Sequence, residues 1–476
     1  MFRRLKHRLI AALTRRGIRY LAARYDAART DADNRKHWAN ADNLSADAAL
    51  SPSIRQTLRS RVRYEYDNNG YLRGIVRTYA DFVVGTGVRL QSQLESDTLN
   101  EWVEREFAHW MEATRLARKL RQLIRSMLVD GEAFGLLITN RALPTPVKLD
   151  LRLIDADRVT TPGFGLGAQR GRSSEMTVDG IEFDGDGNPV AYHVLKQHPG
   201  SQLIGSLSSA TGYDRVPAEQ MIHYFDTDRA EQHRGVSPFV SVLDRFAKLR
   251  RYTTAVVMAA EFAASLSVLF KTTMPPGGEA AGVEQPMTLE IEPNTAMFLP
   301  EGWEPMQLRV EHPATDYAKF KREVLTEAGR PLAMPYNIAA CDSSDYNYAS
   351  GRLDHQTFFR SVRIERANLG LLVLDKLFYA WLREASLVSA YPRNIVQQLE
   401  RSAVWPHMWY WDGFQHVDPA KEALAEERRL NSNATTLARV YAEQGLDWER
   451  ELRQRARELE LMRELNIPIP ETKGAR

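Results

Sequence analysis

The stretch SPFVSVLDRFAKLRRYTTAVVMAAEFAASLSVLF, from Ser237 to Phe270, decides the fold. It opens on a serine followed by a proline, a capping residue next to a ring whose fixed φ suits the first helical position. After Pro238 no glycine or proline interrupts it. Roughly 30 residues at about 1.5 Å each make a rod of about 45 Å. Arg245, Lys248, Arg250 and Arg251 lie close to Phe246, Leu249 and Tyr252, more charge than the core of a monomer buries. Such a face suits a seam between subunits. The composition then changes abruptly. TTMPPGGEAAGVEQPMTLEIEPNTAMFLPEGW (272–303) is rich in proline and glycine, with MTLEI and AMFL as short strand candidates. A second helix opens near Thr315, and Gly329 is expected to close it as a C-terminal cap. The pattern is a rod, a compact excursion and a returning helix.

Upstream, SIRQTLRSRVRYEYDNNGYLRGIVRTYADFVVGTG (53–87) reads as a helix, a break at Asp67-Asn68-Asn69-Gly70 and a second helix. In the second, Leu72, Ile75, Val76, Tyr79 and Phe82 recur at helical spacing. Amphipathic helices follow from Trp102 to Ile124. AFGLLIT (133–139) and LDLRLID (149–155) carry strand character, and IEFDGDGNPVAYHVL (181–195) is a hairpin, two alternating runs about a Gly/Asp/Asn turn. Downstream, an apolar-periodic run extends from about Ser350 to Trp381, softened or kinked at Gly370. The C-terminal hundred residues are mostly helical: Asp418-Pro419 starts one helix, Gly445 closes another, and Asp447 caps a charged third that runs to about Asn466. The expected class is α+β, predominantly helical.

A chain of 476 residues supports two or three domains with substantial cores. The formal charge of +2 conceals a basic arm. Up to Lys36 it carries Arg3, Arg4, Lys6, Arg8, Arg15, Arg16, Arg19, Arg24, Arg29 and Arg35 against Asp26, Asp31 and Asp33. Such an arm can touch nucleic acid or an acidic partner; it is equally a solvated helix with a frayed end. Leu5, Leu9, Ile10 and Leu13 are too interrupted for a secretory apolar core. No window has the length and apolarity of a membrane span. Cys341 is the single cysteine, so disulfides within the chain are impossible and a cysteine-based metal site would need other ligand types.

The segment AACDSSDYNYASGRLDHQTFFR (339–360) concentrates hydroxyls and carboxylates with a histidine. A hydrolase would use Ser343 or Ser350 with His355 and Asp342, but no strand–GxSxG–helix elbow surrounds either serine and no oxyanion hole is evident. GFGLGAQRGR (163–172) lacks the strand before and the helix after that a dinucleotide loop requires, and reads as a surface loop. FDGDGNPV (183–190) begins like a calcium loop, yet Pro189 stands where the sharp turn wants glycine and Leu195 where a bidentate glutamate belongs. The histidines show no zinc-hydrolase spacing, and His223 in MIHYF reads as a hydrogen-bonded strand residue. No GxxxxGK[ST] motif occurs, so the chain carries no P-loop motor. No catalytic residue, metal or cofactor is assigned.

Several segments, in order, resemble the lambda family of tailed-phage portal proteins. They are RVRYEYDNNGYLRGIVRTYADFVVGTG, DGEAFGLLI, LRLIDADRV, GIEFDGDGNPVAYHV, MIHYFDTDRAEQHRGVSPF, AMFLPEGWEP, DSSDYNYASGR and VDPAKEALAEERRLNSNATTLARVYAEQGLDWEREL. Each alone is weak; their order over roughly residues 50 to 465 is specific. In DSSDYNYASGR the family's Asn-Tyr-Ser-Ser-Arg pattern is varied at Ala349 and Ser350-Gly351.

The resemblance implies a portal fold with wing, stem, clip and crown regions and a ring of about twelve copies at one capsid vertex. Double-stranded DNA would pass through the ring on packaging and ejection. Mapped on this chain, residues 1–50 are the basic arm, 51–235 the wing and 236–268 the stem helix. The clip spans 269–314, the returning stem helix 315–329, a tunnel loop 330–349, a long wing helix 350–390 and a helical crown 391–476. Asp342, Ser343, Ser344, Asp345, Tyr346, Asn347 and Tyr348 would face the DNA. Glu279, Glu284 and Gln285 would meet the terminase large subunit at the clip. The other implied partners are the major capsid or scaffold protein and a head-completion adaptor, with assembly in the host cytoplasm, residence in the virion and no membrane. One physical feature stands apart from the resemblance: from Pro331 to Gly351 there is no lysine or arginine. A surface that grips DNA needs cations against phosphate; this one is built to let a polyanion slide. Two other classes remain, a serine hydrolase on Ser343, His355 and Asp342, and a non-channel structural adaptor whose basic arm binds nucleic acid.

Overall fold

The computed structural model describes residues 36–161, 176–201, 212–265, 269–272, 303–306, 314–344, 346–402, 404–414 and 419–468. The strand candidates MTLEI and AMFL, the glycine loop 163–172, most of the basic arm, and Glu279, Glu284, Gln285 and Asp345 lie outside them. The chain forms two compact units, residues 1–49 and 50–476. Within the first, Ala46–Ala49 make one helical turn.

The second unit begins with helices α1 (Pro52–Asn68) and α2 (Gly70–Val84), divided at Asn69. The Asn69 side-chain oxygen accepts from the amides of Tyr71 and Leu72, so one residue ends the first helix and caps the second. Leu72, Ile75, Val76, Tyr79 and Val83 are buried on one face, at the spacing the sequence shows. Strand β1 (Val88–Ser92) leads to α3 (Asp97–Ala113), which joins α4 (Leu116–Asp130) through a left-handed Arg115. The main core forms where these helices meet an aromatic cluster. Phe107 stacks on Trp110 and meets Phe378 and Trp381 edge-on. Each ring of this size removed from water contributes about 1.5–3 kcal/mol.

Strands β2 (Glu132–Thr139) and β3 (Leu149–Ile154) follow, then β4 (Met176–Val178), β5 (Ile181–Phe183), β6 (Pro189–Leu195), β7 (Tyr213–Pro217) and β8 (Met221–Phe225). They make two antiparallel sheets, ordered β3-β2-β8 and β4-β5-β6-β7. A second core of Phe134, Ile154, Val159, Ile181, Phe183, Tyr192, Val194, Val216 and Met221 draws on both. The hairpin β5–β6 is the expected one. Asp184 accepts from the amides of Asp186 and Asn188 and from the Asn188 side chain, so the calcium-like residues build the turn.

The rod starts as a 3₁₀ turn, Pro238–Val242, capped by the Ser237 hydroxyl on the Phe239 amide, and continues as helix α5 (Leu243–Ser265). Strand β9 (Leu269–Thr272) pairs antiparallel with β10 (Trp303–Met306), and helix α6 (Ala314–Gly329) returns along α5. The two helices pair antiparallel: Arg245 meets Glu327 at 3.3 Å, Leu249 shares a cluster with Val324 and Leu325, and Thr253 bonds Tyr317 at 3.0 Å. The strands pair in the same sense, with Leu269 facing Met306.

Two expectations about this pair are revised. Gly329 is right-handed, not a left-handed cap; the chain continues as a 3₁₀ turn to Leu332, and Ala333 takes the left-handed conformation. Glycine is required at 329 because a Cβ there would sit 2.4 Å from the Met334 carbonyl oxygen. The basic residues of the rod are also not a bare seam. Lys248 pairs with Asp244, Arg245 with Glu327 and Arg250 with Glu65, while Phe246 and Leu249 are buried. The exposed apolar groups lie further along, at Val257, Met258 and, on α6, Phe320.

After α7 (Tyr336–Ala340), helix α8 (Tyr348–Leu369) runs through a π-helical segment, Gly370–Leu374, into α9 (Asp375–Ser386). The expected irregularity at Gly370 is this wider turn, and a Cβ at that position would lie 3.4 Å from the Trp409 ring. Helix α10 (Asn394–Arg401), strand β11 (His407–Trp411) and helices α11 (Pro419–Asn431), α12 (Leu437–Glu443) and α13 (Trp448–Glu464) complete the chain. Strand β11, inside the segment read as helical, pairs antiparallel with β1 from the other end of the unit. Asp447 caps α13 through the amides of Glu449 and Arg450, and Gly445 is left-handed (φ +74°), both as the sequence indicates. No helix among the described residues is long and apolar enough to cross a membrane.

Candidate functional site

The loop between α6 and α8 is organised by its own polar residues. Helix α7 ends at Cys341, which is left-handed and exposed. Asp342 then folds a tight turn: its Oδ1 accepts from the Ser344 amide at 3.1 Å and the Ser344 hydroxyl at 2.6 Å. These bonds favour the ionised form and hold the Asp342 carboxyl below the usual carboxylate range. The Tyr346 amide donates to the Ser343 carbonyl, closing the next turn. Asn347 and Ser350 form a reciprocal capping box at the start of α8. Ser350, a candidate nucleophile of the hydrolase reading, thus lies at a helix start with Asn347 and Tyr348.

The three residues of the hydrolase reading are not brought together. His355 Nε2 accepts from the Asn337 side-chain amide at 2.9 Å, and its ring lies 5.7 Å from that of Phe359. Partial burial holds this imidazole below its ordinary pKa. Asp342 is engaged with Ser344 and Tyr336. Among the described residues no hydrogen bond joins Ser343 to His355 or His355 to Asp342, so the geometry needed for a nucleophile, its base and an orienting acid is not formed.

The fold brings cations close to a loop that has none in its sequence. From α6, the Arg322 guanidinium lies 4.6 Å from the centre of the Tyr336 ring, and Lys321 lies 5.2 Å from that of Tyr71 on α2. Tyr336 packs with Leu249, Val324 and Leu325, and its hydroxyl donates to Asp342 Oδ2 at 3.3 Å. The loop rests on the two long helices through this side chain, with Ala340 and Tyr346 packed against the same cluster.

A second cluster, missed in the sequence, lies at the root of the rod. Glu132 on β2 is fully buried and accepts from Arg59 (2.8 Å) and twice from Arg234 (2.6 and 2.8 Å). It also accepts from His223 (3.1 Å) and the Gly235 amide (3.2 Å). Arg234 and His223 hold the Glu132 carboxyl well below the usual range despite its burial, while burial lowers the pKa of His223. Arg59 and Arg63 both reach Asp157, at 2.5 and 2.6 Å; Arg63 also meets Asp130 and Asp155, and Arg55 and Arg234 both pair with Asp179. Asp155, Asp157 and His198 stand close enough to share a cation, but arginines already occupy both carboxylates. A signal was present: Arg55, Arg59 and Arg63 recur every fourth residue and so fall on one face of α1. The motifs DGEAF, IDADR and EQHRG supply most of the partners.

The comparisons with known proteins fit this chain. The "Probable portal protein" of Halomonas phage phiHAP-1 is 23% identical over 459 residues, covering 91% of this chain and 86% of that protein. Among solved structures, a chain in the neck of a native gene transfer agent particle, computed with C12 symmetry, aligns with 14% identity and a TM-score of 0.46. It covers 83% of this chain and 94% of that one. An HK97-family phage portal protein from Corynebacterium diphtheriae aligns with 11% identity and a TM-score of 0.31, covering 62% of this chain and 85% of that one. A family model described as phage portal protein, lambda family, matches residues 32–366, well over half of the sequence, and the chain belongs to that family.

Proposed function

We propose that this portal protein acts as a ring of about twelve copies at a capsid vertex of the virion, with double-stranded DNA passing along its axis. In this reading α5 and α6 are the stem, residues 269–314 the clip that docks the terminase large subunit through Glu279, Glu284 and Gln285, and residues 342–348 the DNA-facing loop. The segment 51–235 with the long helix from 350 is the wing, and 391–476 the crown. Scaffold or major capsid protein and a head-completion adaptor dock on the assembled ring. The chain itself performs no catalysis; the ATP-driven step belongs to the terminase.

The observation that carries this reading is the antiparallel pairing of α5 with α6, from Arg245/Glu327 to Thr253/Tyr317, together with the antiparallel pairing of β9 with β10. The helices form an antiparallel hairpin whose near end leads, past Arg330, into a segment, 331–351, free of lysine and arginine. Exposed Val257, Met258 and Phe320 on that hairpin are the apolar groups that contact between copies would cover.

Native mass and negative-stain microscopy of the purified chain test the ring, with assemblies above about half a megadalton expected for about twelve copies. A clean monomer at high concentration across several salt conditions would overturn the reading. The loop is tested by Asp342→Lys with Asp345→Lys, which over about twelve copies replaces about 24 negative charges with positive ones. Counterion release at the new phosphate contacts should make DNA packaging stall, with relief by salt, while rings still form. Ser343→Ala should leave packaging unchanged. Full packaging by the double-lysine variant would place the loop away from the DNA.

A further inference from the structure

We propose that Tyr336 is the positioning residue of the loop, fixing the Asp342 turn to the returning helix α6 through a chain of contacts from Arg322 to Asp342. For its consequence on DNA transit this rests on the DNA-facing reading above; the anchoring itself does not.

Three observations converge on Tyr336. Its ring is buried among Leu249 of α5 and Val324 and Leu325 of α6, so its position is set by both long helices at once. Arg322, one turn before Leu325 on α6, covers the ring at 4.6 Å, a cation–π arrangement that restricts both partners. The hydroxyl at the other end donates to Asp342 Oδ2 at 3.3 Å, while Asp342 Oδ1 is occupied by Ser344. The two carboxylate oxygens therefore do different work: one shapes the turn and one ties it down. The Tyr336–Asp342 bond is a tie between side chains, while the Asp342 and Cys341 amides donate to the Asn337 carbonyl within the loop itself. Burial and the facing Asp342 carboxylate push the Tyr336 phenol above its ordinary pKa, so it remains a donor at neutral pH. The groups facing this carboxylate are Tyr336 and Ser344 by hydrogen bond and Arg322 by charge.

Movement of α6 relative to α5 would reach the Asp342 turn through this side chain as well as through the 3₁₀ turn and Ala333. Tyr336 thus sets where the Asp342 carboxylate stands in every copy of the loop.

The test is Tyr336→Phe, which keeps the ring, its packing and the cation above it and removes only the hydroxyl. Hydrogen exchange of the assembled full chain, followed by mass spectrometry on a peptide spanning 341–347, reads the loop amides directly. Exchange there should quicken about threefold to tenfold, the range expected for loss of one modest hydrogen bond. Peptides from α2 and the melting temperature should stay as in the unaltered chain. Asp342→Asn, which keeps the Oδ1 bond to Ser344 and can still accept at its second position only in the flipped amide, should give an intermediate rate. The difference between Tyr336→Phe and the unaltered chain should also shrink as acid protonates Asp342, because the neutral carboxyl is the weaker acceptor. Unchanged exchange in Tyr336→Phe, or an equal change throughout the chain, overturns the anchoring. Quickened exchange with normal packaging keeps the anchoring and refutes the DNA-facing reading instead.

Discussion

Replacing Glu132 with glutamine is the sharpest probe of what holds α1 and strand β2 to the root of the rod. The carboxylate is fully buried and takes two donors on Oε1, from Arg59 and Arg234, and three on Oε2, from Arg234, His223 and the Gly235 amide. Glutamine keeps the shape but offers one acceptor oxygen. Whichever way its amide turns, an N–H group points at a guanidinium and two or three donors lose their acceptor, while two buried arginines lose a counter-charge. Removing one partner of a buried ion pair costs about 3–5 kcal/mol. At about 2 °C per kcal/mol for a large domain, the melting temperature should drop by roughly 6–10 °C. Urea or thermal unfolding followed by circular dichroism measures this, with Glu101→Gln as the control. Glu101 meets Arg453 at the surface, where such a pair contributes about 1 kcal/mol at most. Because Glu132 is held well below the usual carboxylate range, its contribution is complete above about pH 4.3 and is lost only as pH falls through the depressed value. The deficit of the glutamine variant should therefore be the same at pH 6 and pH 8. A variant within about 1 kcal/mol of the parent would show that the cluster sets conformation without holding the fold together.

Gly235→Ala should fail to fold or lose the rod's attachment, since its Cβ would lie 2.1 Å from the Gly131 carbonyl oxygen; soluble yield and circular dichroism decide it. Gly70→Ala, where a Cβ meets nothing within 4 Å, should instead raise stability by about 0.4–1 kcal/mol by restricting the unfolded chain, read from the urea midpoint. Glu104, whose pKa burial pushes up to about 7, favours the folded state in its protonated form, so its contribution weakens as pH rises through 7. Glu104→Gln should flatten that decline, which spans about pH 4.5 to 7 and levels off above it, and an unaltered pH profile would sink the idea. Substitutions across 279–286 should leave rings intact on negative stain while reducing DNA packaging; loss of rings would move that segment into the contact between copies.

Local structure was legible wherever a few neighbouring residues decide it. The Asn69 break, the Asp184 turn, the Ser237-Pro238 start and the Asp447 cap each depend on side chains bonding backbone within about four positions, and sequence holds all of that. Gly329 shows the limit of the same logic. A glycine at a helix end is most often a left-handed cap, but here the requirement came from the Met334 carbonyl approaching across a turn. Pairings over long separations were hidden. Gln91 and Tyr410 bond across β1 and β11 while 319 positions apart, and no local pattern in HMWYW names its partner. The loop shows both sides. Its lack of cations was plain, whereas Arg322 standing over Tyr336 follows from how α6 and α7 pack.

The charged motifs carry a lesson about the fold as a whole. DGEAF, IDADR and EQHRG looked like unrelated markers along the chain, yet their acids and arginine converge on the ladder of Arg55, Arg59 and Arg63, spaced four positions apart. Buried charges of this kind contribute little net stability against a well-packed apolar alternative, because desolvation offsets most of the attraction. Their effect is selective: a guanidinium tolerates few positions around a carboxylate, whereas an apolar contact tolerates many. Here the constrained elements are α1, β2 and the segment Arg234–Gly235, which leads within three residues to the Ser237 cap of the rod. Gly131 and Gly235 add a steric condition, since neither admits a Cβ without striking the other's segment. Charge and close approach together fix the direction in which α5 leaves the sheet. In the ring proposed above a small error in that direction would repeat at every subunit, so such an assembly would gain more from a joint with one permitted geometry than from a joint that is merely strong.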